Sequence, residues 1–180
     1  MSKRVCVYCS SSNTLDKKYL EAAKDFAKAA SVYNYTVVCG GSIRGLMGVI
    51  ADTMLDNNGS VVGVIPEFMQ EIEIHHPRIK DLIIVETMSQ RKELLRENCD
   101  AVVALPGGIG TLDELLEVFT LKKLDRYDGK VMLLNVYGFY DPLIKLLDHL
   151  VTENFLCPQY RKSLHVFNTT EELTQAINNL

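Results

Sequence analysis

The sequence predicts an α/β fold: a single-domain, Rossmann-like, doubly wound and mostly parallel sheet flanked by helices. Three observations predict it. Short apolar runs alternate with longer helical patterns from end to end of the 180 residues. The runs are continuous Val/Ile/Leu-rich stretches and not apolar–polar alternations, which is how strands read when both sheet faces are covered. The strand–helix–strand rhythm contains no linker, repeat or low-complexity tract, so it points to a parallel sheet in one domain over residues 1–180.

Taken in order, strands are expected at 5–9, 36–39, 61–65, 82–85, 101–105, 131–135 and 164–167, and helices at 16–33, 45–57, 89–98, 111–124, 140–153 and 170–179. Asn57-Asn58-Gly59 closes the second helix, with Gly59 suited to a left-handed cap. The span 66–80 has no regular pattern and is long enough to be a functional lid. Tyr137, Phe139 and Tyr140 read as packing at a strand-to-helix turn. Thr169 or Thr170, ahead of Glu171-Glu172, starts the last helix.

A hydrophobic content of 47% fits a globular protein, and a net charge of −4 argues against a dedicated nucleic-acid binder. No stretch reaches the roughly 18–20 apolar residues of a membrane span, and the apolar start is too short for a signal peptide, so a cytoplasmic protein is expected. Five cysteines, an odd number, sit mostly in strand-like runs. Cys6 and Cys9 form a C-x-x-C inside a strand and not at a helix start, which disfavours redox chemistry. His75-His76 lacks partners at ligand spacing, so exposed loop histidines and no metal are expected.

The stretch with most chemical content is Leu105-Pro106-Gly107-Gly108-Ile109-Gly110-Thr111-Leu112-Asp113-Glu114. Three glycines allow close approach of backbone amides to a ligand, and the helix start behind them favours an anion. Thr111 and Glu114 also fit a capping box, in which Glu114 would do no chemistry. Cys39-Gly40-Gly41-Ser42-Ile43-Arg44-Gly45-Leu46-Met47-Gly48 is a second glycine turn, either a pocket wall or a device for close helix packing. Arg91 and Lys92 lie near a helix N-terminus, where cations oppose the helix dipole, so at least Arg91 is a candidate for the pocket. The serines 10–12 can donate to an anion or cap the next helix.

The run from Pro106 to Glu114 resembles the P-G-G-x-G-T-x-x-E signature of the Lonely Guy family, the cytokinin riboside 5′-monophosphate phosphoribohydrolases often labelled "possible lysine decarboxylases". Arg91-Lys92 matches that family's R-K pair, Gly45-Leu46-Met47-Gly48 its G-L-M-G, and residues 5–12 its opening strand and serine turn. The resemblance implies a homodimer that hydrolyses the N-glycosidic bond of adenine-type nucleoside 5′-monophosphates, without cofactor or metal. It implies Arg91 and Glu114 as the catalytic pair. Glu73, Lys92, Gly108, Ile109, Gly110, Thr111, Leu112, Asp113 and Thr120 are implied as substrate contacts. Departures from the family pattern are Ser42 for a third glycine, Ser10 for another, and Leu121 and Lys123 where many members carry Trp and Gln. With these, AMP is expected to suit the site better than N6-modified nucleotides. Two other readings remain: a non-catalytic nucleotide or molybdenum-cofactor carrier on the same scaffold, and a pyridoxal phosphate decarboxylase, for which no lysine is convincingly placed.

Overall fold

The computed structural model describes residues 2–71 and 74–180. Its strands are β1 (Arg4–Tyr8), β2 (Thr36–Cys39), β3 (Ser60–Pro66), β4 (Asp81–Val85), β5 (Ala101–Ala104), β6 (Lys130–Leu134) and β7 (Leu164–Phe167). Its helices are α1 (Lys17–Val32), α2 (Gly45–Asp56), α3 (Met88–Arg96), α4 (Ile109–Lys123), α5 (Asp141–Thr152), α6 (Pro158–Arg161) and α7 (Thr170–Asn178). The seven strands form one sheet in the order β4-β3-β2-β1-β5-β6-β7. Every strand pair is parallel, so the sheet is more uniform than the mostly parallel one expected. Among the described residues the one antiparallel contact is an isolated bridge between Ser42 and His75.

Alternate side chains along each strand feed two separate apolar cores, one per face. Val5, Val7, Val37, Ala101 and Val103 pack with α1, α2 and α7; Cys6, Tyr8, Val38, Val102 and Ala104 pack with the opposite layer, which includes Leu95, Leu115 and Leu147. That two-sided burial explains the unbroken apolar runs of the sequence. The chain order reverses direction between β1 and β5, and in such sheets ligands bind beyond the strand C-termini at that reversal.

Helix ends follow a rule that the glycine-based expectation missed. Asn34, Asn58, Asn98 and Asn154 follow α1, α2, α3 and α5 with φ between 54° and 65°, and Asp125 follows α4 with φ 53°. Asparagine tolerates this left-handed state through local hydrogen bonding. The left-handed residue after α2 is therefore Asn58 and not Gly59. Glycine at 59 eases local crowding, since a methyl there would approach the movable Met54 Cε to 2.7 Å and the Met54 carbonyl oxygen to 3.0 Å. Thr169 caps α7 in a full capping box with Glu172, as expected. The irregular span 66–80 contains a 3-10 turn, Glu67–Glu71, and α6 is too short to leave a periodic signal.

Candidate active site

The turn after β5 is fixed from three sides. Leu105 N–H donates to the Tyr8 carbonyl at 2.9 Å, and Ser10 N–H donates to the Pro106 carbonyl at 3.3 Å. The buried Tyr140 hydroxyl donates to the Leu105 carbonyl at 2.7 Å. Helix α4 then starts two residues earlier than the sequence pattern suggests, with Gly108 as N-cap and no side-chain cap. Its first backbone bond runs from Leu112 N–H to the Gly108 carbonyl at 3.0 Å. The amides of Ile109, Gly110 and Thr111 precede that bond and have no backbone partner among the described residues, which is the geometry that favours an anion. Methyl groups built on Gly108 or Gly110 would meet nothing within 4 Å, so the approach to these amides is open. Thr111 and Glu114 make no capping box, because Thr111 already lies inside the helix.

Glu114 is engaged elsewhere. Helix α3 begins with a capping box between Thr87 and Gln90, and its next residue, Arg91, turns inward. Arg91 Nε donates to the Val64 carbonyl at 3.2 Å, and Nη1 donates to Glu114 Oε1 at 3.1 Å. The two side chains are 9% and 10% exposed, so the pair is nearly shut off from bulk water. Burial pushes the Glu114 carboxyl up to about 7, against the opposing pull of Arg91; Asp113 pushes it up further. A carboxyl with that value exchanges its proton near neutrality, as a general base requires. Beneath the pair, burial raises the thiols of Cys6, Cys9 and Cys39, so they stay protonated and are poor redox nucleophiles.

Arg91, Glu114, Gly108, Ile109, Gly110 and Thr111 line one cavity of about 430 Å³, together with serines 10–12 and Met47, Met69 and Met88. Other expected contacts lie apart from it. Lys92 pairs with Asp113 at 2.7 Å and with Glu117 at 2.9 Å, and Arg96 reaches Glu117 at 2.9 Å. These residues strap α3 to α4 on the outside. Leu112 packs into the core cluster, and the exposed Thr120 hydroxyl donates to the Leu116 carbonyl. About 100° of rotation per residue accounts for the split: residues 111 and 114 face the cavity while 112, 113 and 120 turn away. Glu73 lies outside the described residues.

The histidines correct another expectation. His75 is exposed, but His76 is 1% exposed. Its ring Nε2 lies 3.1 Å from Asp52 Oδ1, its Nδ1 accepts from Arg78 N–H, and its own N–H donates to the Gly41 carbonyl. Arg78 forks onto Asp52 at 3.0 Å and Asp56 at 2.7 Å. This clasp fixes the downstream end of the span 66–80 against α2. Sequence reasoning also missed the three methionines, which come from unrelated elements with no common spacing. Among the described residues no cluster of His, Cys, Asp or Glu is arranged to hold a metal ion, and no helix is long and apolar enough to cross a membrane.

The fold and site together define a doubly wound α/β protein with an open helix start at the sheet's switch point and a buried guanidinium–carboxylate pair beside it. A family profile described as "Possible lysine decarboxylase" matches residues 47–177. A probable cytokinin riboside 5′-monophosphate phosphoribohydrolase of Oryza sativa subsp. japonica is 38% identical over 175 residues, covering 97% of this chain and 72% of that protein. A cytokinin riboside 5′-monophosphate phosphoribohydrolase of Arabidopsis thaliana is also 38% identical, with 97% and 82% covered. The chain belongs to the Lonely Guy family of cytokinin riboside 5′-monophosphate phosphoribohydrolases. Among solved structures, the molybdenum cofactor carrier protein of Chlamydomonas reinhardtii superposes with a TM-score of 0.76 over 99% of this chain and 98% of its own, at 17% identity. That likeness is one of fold. The wording of the profile implies pyridoxal phosphate, which needs a lysine for its Schiff base. The residues do not fit: no described residue lining the cavity is a lysine, and neighbouring Lys92 is held as an ammonium by Asp113 and Glu117.

Proposed function

We propose that this protein hydrolyses the N-glycosidic bond of adenine-type nucleoside 5′-monophosphates, releasing free base and ribose 5-phosphate, and that it acts as a cytoplasmic homodimer. The observation that carries the reading is the Arg91–Glu114 pair, buried in the same cavity as the unpartnered amides of the first turn of α4. The 5′-phosphate anchors on the amides of residues 109–111, which holds the ribose over the pair. As the C1′–N9 bond breaks, its electron pair leaves with the base, and positive charge develops on the sugar ring. The ionised Glu114 stabilises that charge and takes a proton from the water that adds to C1′. The proton that Glu114 took passes on to the departing base, which restores the carboxylate, so the sum is base plus ribose 5-phosphate. Arg91 positions the carboxylate and offsets part of the cost of burial, so that it ionises near neutrality and not well above it. Exposed Ile109 and Leu116 on α4 supply apolar surface for a second copy, a state that light scattering on the purified protein would test.

Glu114→Gln is the decisive variant. It keeps the shape of the side chain but removes the base, so adenine release from AMP should fall by about a thousandfold or more, with the unfolding transition retained. Chromatography for free adenine gives the answer, and release at the wild-type rate would refute the assignment. A carrier would instead retain AMP without turnover in the wild type. The same assay carries a pH test. Glu114 is protonated below about 7, so kcat/KM for AMP should decline as pH drops through that value and level off above it. A flat profile from pH 5 to 9 would exclude Glu114 as the base. AMP measured beside isopentenyladenosine monophosphate, GMP and CMP fixes the base preference.

A further inference from the structure

We propose that Met47, Met69 and Met88 form the wall that receives the flat base of the nucleotide and sets which bases the site accepts. The inference rests on the reading of residues 109–111 as the phosphate cradle. The chain has six methionines, and three of them meet at this one cavity. Each arrives on a different element: Met47 in α2, Met69 in the 3-10 turn after β3, and Met88 as the first residue of α3.

Strand order puts them on one side. α2, the 3-10 turn and α3 follow β2, β3 and β4, which all lie on one side of β1, whereas the cradle follows β5 on the other. Arg91 from α3 and Glu114 from α4 join across the gap between those halves. A ligand anchored by its phosphate at the cradle, with its anomeric carbon over this pair, therefore runs on towards the methionines. Met47 is 8% exposed, with its sulfur so close to Gly40 that a methyl there would stand 3.1 Å from it. Met69 and Met88 are half-buried and have surface left to offer.

The described lining carries no charged side chain apart from Arg91 and Glu114. Among the described residues of the lining, none on the methionine side is placed to read a base edge by charge. Thioethers contact aromatic rings favourably through their polarisable sulfur, and their unbranched stems adjust to different outlines. The ligand class is thus a planar purine, recognised by shape and polarisability.

Ribose 5-phosphate is the probe that separates the wall from the cradle, because it lacks the base. Calorimetric Kd values for AMP and for ribose 5-phosphate would be measured on the Glu114→Gln protein, which does not consume the nucleotide, alone and carrying Met69→Ser, Met88→Ser or Met88→Leu. Each serine variant should weaken AMP about tenfold while leaving ribose 5-phosphate within about twofold, and leucine should restore most of the loss. Equal weakening of both ligands would mean a general collapse of the site and overturn the proposal, as would unchanged AMP affinity. If the wild type binds AMP but releases no adenine, the catalytic reading fails while the two affinities still decide on the wall. If it binds neither ligand, cradle and wall fail together.

Discussion

The turns after β2 and β5 are both glycine-rich, and both lead from a strand into a helix that lends a side chain to the same cavity. Their glycines do opposite things. In the first turn, protein atoms occupy the space a side chain would need. A methyl on Gly40 would run into the Arg91 guanidinium, one on Gly45 would come within 2.7 Å of the serine-turn backbone, and one on Gly48 would strike the Ile43 carbonyl. Gly41 and Gly45 also hold positive φ, at 72° and 58°. In the second turn, Gly107 is crowded by the Thr111 side chain, but Gly108 and Gly110 face empty space and have ordinary backbone angles. A glycine with neither crowding nor positive φ gives the fold nothing that alanine would not. Its remaining use is access to the amides beside it. The first turn is a packing joint, and the second is an open door.

Three substitutions bear on that contrast. Gly48→Ala should be the most damaging, costing about 3 kcal/mol because a backbone carbonyl must shift, and thermal unfolding would show it as a large drop in Tm. Survival at the wild-type Tm would undo the packing assignment. Gly40→Ala should cost less, about 1–2 kcal/mol, since the obstructing atoms are the movable ends of Arg91 and Met47. Its main effect should be catalytic, an adenine-release rate down by about tenfold to a hundredfold as Arg91 leaves Glu114. Gly110→Ala should change stability least, by about 0.5 kcal/mol and in the favourable direction, because alanine suits a helix better than glycine. Its KM for AMP should nevertheless rise about tenfold as a methyl enters the phosphate approach. A Gly110→Ala protein with unaltered KM would show that the door is not where the ligand enters.

The seven strands are legible because two-sided burial leaves continuous apolar runs, and their ends agree with the structure to within a residue. Local motifs fare less well where two meanings share one spacing. Thr111 and Glu114 match a capping box, yet the glycine turn starts the helix at Ile109 and frees the carboxylate for Arg91. The true capping boxes are at Thr87 and Thr169. Arg91 and Glu114 lie 23 residues apart on separate helices, so no local pattern joins them, and the family resemblance supplied that pairing. The burial of His76 was hidden for the same reason: its partner Asp52 lies 24 residues away. Helix-face geometry also sorts the P-G-G run itself, sending Asp113 to Lys92 and Glu114 to Arg91, a division that proximity in sequence conceals.

The phenol of Tyr140, tied to the carbonyl of Leu105, has a practical use as well as a structural one. The chain has eight tyrosines and no tryptophan, so its ultraviolet emission is purely phenolic. One emitter is thus tethered to the residue that opens the P-G-G turn. Titration with ribose 5-phosphate, which is optically silent in that range, turns this tether into a label-free reporter of occupancy at the sugar-phosphate end.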